Sequence, residues 1–144
     1  MARIRESRPA AEEADRYVIP IGGRPVSRIY LDGRFGLCFY SGGPTTEISI
    51  GSRMRFVEQE QSSIADPQEP ATLVPVLRLF GRRVTSAYAF KDGSLRVEFQ
   101  DGSRLEVDPG EKFEPWEVSA QDGLKIVSTP GGGIAFWQSL PAQT

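Results

Sequence analysis

Five carboxylates crowd one short stretch of the chain: Glu106, Asp108, Glu111, Glu114 and Glu117. Carboxylates held close together can share a proton or ligate a hard divalent cation, as glycoside and phosphoryl-transfer chemistry requires. Their spacing is specific to neither. In extended backbone Glu106 and Asp108 share one face opposite Leu105 and Val107, which is how the wet side of a half-buried sheet reads. Nearby stand Trp116 and Trp137, whose rings could cover a ligand. Gly131-Gly132-Gly133 could turn successive backbone N–H groups toward an anion. The glycine run lacks the lysine and following helix of a phosphate loop, so a strand-to-strand turn accounts for it more simply. The binding candidates are therefore Asp108, Glu111, Glu114, Trp116, Glu117, Gly131, Gly132 and Trp137.

Absent residue types narrow the chemistry. The 144 residues contain no histidine, which removes Ser-His-Asp and Cys-His catalysis. With a single cysteine no zinc or haem site is expected, and neither catalytic residues, a metal centre nor a cofactor is assigned. Cys38 alternates with Leu37 and Phe39, as a surface-facing or half-buried thiol would. No apolar run approaches the roughly 20 residues that span a bilayer, and Met1 to Arg16 lacks an apolar signal core. A soluble cytoplasmic protein is expected.

The net charge of −2 is unevenly spread. Residues 1–97 carry fourteen Lys/Arg and eleven Asp/Glu, whereas 98–144 carry three and eight. The densest basic stretch, Arg78, Arg82, Arg83, Lys91 and Arg96, lies near Tyr88 and Phe90, as a nucleic-acid groove would require. Asp92, Glu98 and Asp101 dilute it and no binding motif accompanies it, so nucleic acid ranks third among the functions considered.

The elements that hold these residues come from a sequence written twice. Gly23-Arg24-Pro25-Val26 reads against Gly81-Arg82-Arg83-Val84, and Asp32-Gly33 against Asp92-Gly93. Phe35, Leu37 and Phe39 match Leu95, Val97 and Phe99, while Ile48, Ile50 and Phe56 match Leu105, Val107 and Phe113. Period-two alternation between Asp-Gly and Gly-Gly-Pro turns reads as short antiparallel strands. The expected fold is mainly β, two duplicated antiparallel meanders forming one barrel or sandwich with pseudo-twofold character. Residues 1–15 read as a flexible tail and 16–140 as one domain. Within it lie repeats at about 17–58 and 75–118, a linker at 59–72 and a C-terminal strand pair. Leu73, Val76, Leu77 and Phe80 fall at helical spacing, which predicts a short helix near 73–80.

Phe113-Glu114-Pro115-Trp116-Glu117, Asp122-Gly123 and the run from Ser128 to Trp137, with Leu79 to Val84 and Leu95 to Gly102, resemble a family of small, uncharacterised, mainly actinobacterial proteins, a domain of unknown function. The likeness covers about residues 66–137. No activity comes with it. Many such small bacterial proteins look like neighbours of toxin systems, which makes immunity toward a basic toxin the sharpest expectation. In general terms the sequence points to a non-catalytic protein-binding module with an acidic face. A carboxylate-based, divalent-cation-dependent enzyme or small-ligand carrier is the alternative, and exposed strand edges could also pair in a homodimer.

Overall fold

The computed structural model describes residues 10–138. In chain order the strands are β1 (Ala11–Glu12), β2 (Arg16–Val18), β3 (Arg28–Leu31), β4 (Phe35–Phe39), β5 (Thr46–Ile50), β6 (Met54–Glu58) and β7 (Gln61–Ala65). A 3-10 turn at Pro70–Leu73 and the one-turn helix α1 (Val74–Leu77) follow. Then come β8 (Val84–Phe90), β9 (Leu95–Phe99), β10 (Arg104–Val107), β11 (Trp116–Ala120), β12 (Lys125–Ser128) and β13 (Ile134–Trp137). They form two antiparallel sheets, ordered β1-β2-β8-β9-β10-β6-β7 and β13-β12-β11-β5-β4-β3. Alternate residues turn inward from each sheet, Phe35, Leu37, Ile48 and Ile50 from one and Phe56, Leu95, Val97 and Leu105 from the other, into a single buried core. Both sheets stay open, so the architecture is a sandwich rather than a closed barrel.

The strand order shows how the repeats are combined. Each begins with a three-strand meander, β3-β4-β5 in one sheet and β8-β9-β10 in the other. Each then crosses to the opposite sheet. There β6 pairs with β10, Phe56 opposite Leu105, and β11 pairs with β5, Val118 opposite Ile48. A further hairpin strand extends each crossing, β7 beside β6 and β12 beside β11. The two repeats have exchanged their last two strands, so neither sheet is complete without both.

A local twofold axis relates them. Gly23 N–H donates to the Val84 carbonyl at 2.7 Å, and its counterpart Gly81 N–H donates to that of Val26 at 2.9 Å. Val26 N–H to Arg82 O at 2.9 Å is likewise matched by Val84 N–H to Arg24 O at 3.0 Å. The axis passes between the bridged residues Pro25 and Arg83. On either side of it an equivalent arginine staples the second hairpin of its own repeat. Buried Arg24 donates from Nε to Ser41 O (2.7 Å) and from Nη2 to Phe39 O (2.8 Å) and Pro44 O (2.7 Å), with Nη1 on Thr46 Oγ1 at 3.1 Å. Arg82 instead reaches Asp101 at 2.8 Å, Ser103 at 3.2 Å and Glu58 at 2.9 Å. Turn length accounts for the difference: residues 40–45 separate the paired Phe39 and Thr46, whereas only 100–102 separate Phe99 from Ser103. The longer turn can wrap a guanidinium in carbonyls.

Several sequence expectations are corrected. Residues 59–72 contain strand β7, joined to β6 through Gln59 and Glu60 at φ 51° and 63°. That left-handed turn uses no glycine, and β7 is an exposed edge strand, so neither the turn signal nor the alternation was present to announce it. At the N-terminus residues 11–12 form β1, while 1–9 lie outside the described residues. The helical segment buries Leu73, Val76 and Leu79, leaving Leu77 and Phe80 exposed, because its 3-10 start gives it period three. Cys38 is buried, and loss of solvent pushes its thiol pKa up. Val118, not Phe113, occupies the position equivalent to Phe56, since β11 starts only at Trp116.

Candidate functional site

The two crossings between sheets meet at one end of the sandwich. The first, 51–53, takes three residues, whereas the second, 108–115, takes eight. Gly51 N–H donates to Pro115 O at 2.9 Å, which ties the two together. Here the otherwise twofold scaffold is most unequal, and here most of the acidic candidates fall.

The structure divides those candidates. Asp108 receives both Arg55 Nη groups, at 2.9 and 3.0 Å, on the outer face of the first sheet. The hydrogen bonds and charge of Arg55 hold its carboxyl below the usual carboxylate range. Glu106 lies on the same face under Arg55, Arg96 and Arg104, at 3.7, 3.3 and 3.5 Å. Glu117 projects from the other sheet, on β11 opposite Ser49 and Val127. Only Glu111 and Glu114 remain together, both exposed on the crossover loop and without an ion pair among the described residues. No group of three or more His, Cys, Asp or Glu side chains converges as metal ligands would, again among the described residues.

Trp116, Gly131 and Gly132 do come together around the Asp92-Gly93 turn, the indole inside the protein and the two glycines exposed on the turn between β12 and β13. Trp116 is fully buried and its indole N–H donates to Gly93 O at 2.9 Å. Ser128 Oγ donates to the same carbonyl at 2.7 Å. A Cβ on Gly132 would come within 3.1 Å of Asp92 O. Gly131 N–H donates to Gly110 O at 2.8 Å. These residues clasp the turn and the base of the crossover, so Trp116 is withdrawn as a ligand platform: burial leaves it no free face. Trp137 is more than half exposed, on the outer face of β13 in line with Lys125. It is remote in pairing from the crossover, being joined to β11 only through β12.

The loop itself is fixed at both ends, by Gly131 on Gly110 and by Gly51 on Pro115, while its middle faces solvent. Phe113, in the middle stretch of the loop, is 53% exposed. It borders a depression of about 390 Å³ that Asp108, Pro109, Gly110 and Pro115 share with Gly51 to Arg53, Asp66 and Gln68. Arg53 bonds Asp66 at 3.3 Å on its rim. Matching Phe113 to core Phe56 hid it in the sequence. The available signal was the unequal length of the two crossings, with Pro109-Gly110 and Pro115 bracketing an apolar residue between glutamates.

The basic stretch is spent on internal contacts. Arg78 and Arg82 bond Glu58, Arg82 also bonds Asp101, Lys91 bonds Glu12 and Arg96 bonds Glu106. Arg83 donates to Gly23 O at 2.9 Å. No helix among the described residues is long and apolar enough to cross a membrane. No curated protein and no solved structure matches the chain. A family model does match residues 17–138, from β2 to the end of β13, and thus spans both repeats and the crossover loop. The chain belongs to that family, described as a family of unknown function (DUF6188).

Proposed function

We propose that the chain is a non-catalytic binding module that engages a basic protein partner through the crossover loop Asp108–Pro115. The supporting observation is Phe113, exposed on an anchored loop beside a depression, with Glu111 and Glu114 flanking the Lys112-Phe113 pair and neither glutamate in an ion pair among the described residues. An exposed aromatic on a pre-ordered loop is the sort of group that anchors an interface, because little conformational freedom is lost when it is covered. Glu111 and Glu114 would guide a cationic surface toward it. The sharper form names the partner as a toxin and the chain as its cytoplasmic bacterial immunity protein.

The test is affinity capture with the immobilised chain, using extract of the producing organism, followed by titration of the captured polypeptide. Phe113→Ala and the pair Glu111→Lys, Glu114→Lys each weaken capture by about tenfold or more, the scale of an interface hot spot. Glu117→Lys, on the outer face of the other sheet, leaves it unchanged. Capture indifferent to the loop substitutions would refute the assignment. A captured polypeptide of acidic character would do the same.

A further inference from the structure

The two repeats also differ at the end of the sandwich away from the crossings. There β4 turns into β5 through residues 40–45, β11 turns into β12 through 121–124, and Thr46 pairs with Ala120 between them. The 40–45 turn is twice as long as its twofold counterpart, 100–102. The short turn staples its hairpin through Arg82 all the same, so stapling alone does not call for the extra residues. What the longer turn adds is a cleft. It lies between the 40–45 turn, the segment 20–24 and the β11–β12 turn, and its volume of about 400 Å³ falls within the range of small-molecule sites.

The lining of the cleft is sorted by chemistry. Buried Arg24 brings a positive charge to one wall, and Gly42 and Gly43 lie against its side chain, where a Cβ would stand 3.1 Å from Cγ and 3.4 Å from Nη1 respectively. The amide N–H groups of Gly22, Gly42 and Gly43 donate to no acceptor among the described residues. Backbone amides gathered beside a cation suit an oxyanion. Asp122, on the β11–β12 turn, contributes the opposite sign. Its Oδ1 accepts the Leu124 N–H at 3.2 Å, and it forms no ion pair among the described residues. Pro20, Pro44 and Ala120 complete the lining with apolar surface. A simple anion would be repelled by Asp122 and a simple cation by Arg24, whereas a ligand carrying both signs escapes both penalties.

We propose that this cleft binds a small zwitterion, an α-amino acid with an aliphatic side chain. The glycine amides on the Arg24 side receive its carboxylate, Asp122 receives its ammonium group, and the prolines and Ala120 cover its side chain. The twofold-related place cannot do the same, because Asp101 and Glu58 bond Arg82 directly at 2.8 and 2.9 Å, and protein carboxylates already stand where the ligand's would. The cleft lies at the far ends of β5 and β11 from the crossover loop, so capture through Phe113 can fail or succeed independently.

The test is a titration of the isotopically labelled full chain with L-valine, followed through its amide resonances. Gly22, Gly42 and Gly43 shift along a saturable curve, with a Kd on the order of 1 mM for so small a ligand. Valinamide, which lacks the carboxylate, and isovalerate, which lacks the ammonium group, bind about tenfold more weakly or worse, the scale of one charged hydrogen bond. Asp122→Asn keeps the oxygen that receives Leu124 N–H, weakens L-valine to the same degree and leaves isovalerate no weaker. Gly43 is not at positive φ, so Gly43→Ala sets a methyl group over the guanidinium without backbone strain and abolishes the shifts while the circular dichroism spectrum is unchanged. Absence of saturable shifts with L-valine overturns the proposal. So does isovalerate, valinamide or inorganic phosphate binding as tightly as the amino acid, or an undiminished affinity in Asp122→Asn.

Discussion

Tyr30 shows how much one side chain can do on an open sheet face. It lies across Gly36 on the neighbouring strand, where any Cβ would overlap its ring, and its hydroxyl donates to the Glu47 carboxylate on the strand beyond. Desolvation, and then the bond to Glu47, raise its pKa from 10.0 to about 12. A proton held more tightly by the folded state contributes stability that is complete below pH 10 and lost as the pH rises toward about 12. Chemical denaturation between pH 9 and 12 should therefore show stability falling through that window, and Tyr30→Phe should flatten the fall. An identical alkaline slope in the variant would remove Tyr30 as its source. The phenol, Gly36 and Glu47 were each readable in the sequence, but their convergence was not, because it depends on the register of three strands.

Turns at equivalent places in the two repeats have different duties. Gly33 and Gly93 both sit at positive φ, 81° and 99°, and both follow an aspartate. Around Gly33 a Cβ would meet nothing within 4 Å, whereas at Gly93 it would meet Gly133 N at 3.0 Å, Ser128 Oγ at 3.1 Å and Pro109 Cβ at 3.2 Å. Gly33→Ala should cost about 1–2 kcal/mol, the penalty of a left-handed residue with a side chain. Gly93→Ala should cost roughly 1–3 kcal/mol more, from overpacking at a site that cannot yield. Urea titration of the two variants measures the difference, and equal midpoints would show that the clasp around Gly93 is slack. The sequence displayed both Asp-Gly turns and most strands plainly, since alternation and turn chemistry are local. It also placed Trp116, Gly131 and Gly132 together as important. It could not show that the indole faces inward while the glycines stay at the surface, because the indole's partner is a backbone carbonyl 23 residues away. Nor could it reveal β7, where an edge strand needs no inward-outward pattern over most of its length.

At the scale of the whole molecule the exchange of strands makes the halves interdependent. β6 pairs with β7 and with β10 of the other repeat, and β11 with β12 and with β5. Residues 1–68 and 69–144 should each remain unfolded when expressed alone, and the dispersed amide spectrum of the intact chain should return on mixing them. A cooperative melt from either fragment would contradict this, as would a full chain unfolding in two separate steps. Duplication was legible from the matched glycines and apolar residues, and so was a sheet sandwich or barrel. The swap was not, because an alignment of two halves is the same whether each keeps its own strands or trades them.

The unequal crossings acquire a further meaning from that exchange. A protein with one copy of the repeat would complete its sheets only by lending strands to a twin, and every change near the dyad would then occur twice, facing its own image. An eight-residue loop beside the axis would collide with a second eight-residue loop. Joining the copies in one chain lifts that constraint: one crossing can stay at three residues and leave room, while the other lengthens to carry Glu111, Phe113 and Glu114. In a single chain a symmetric seam is free to become asymmetric, and here it has done so by five residues.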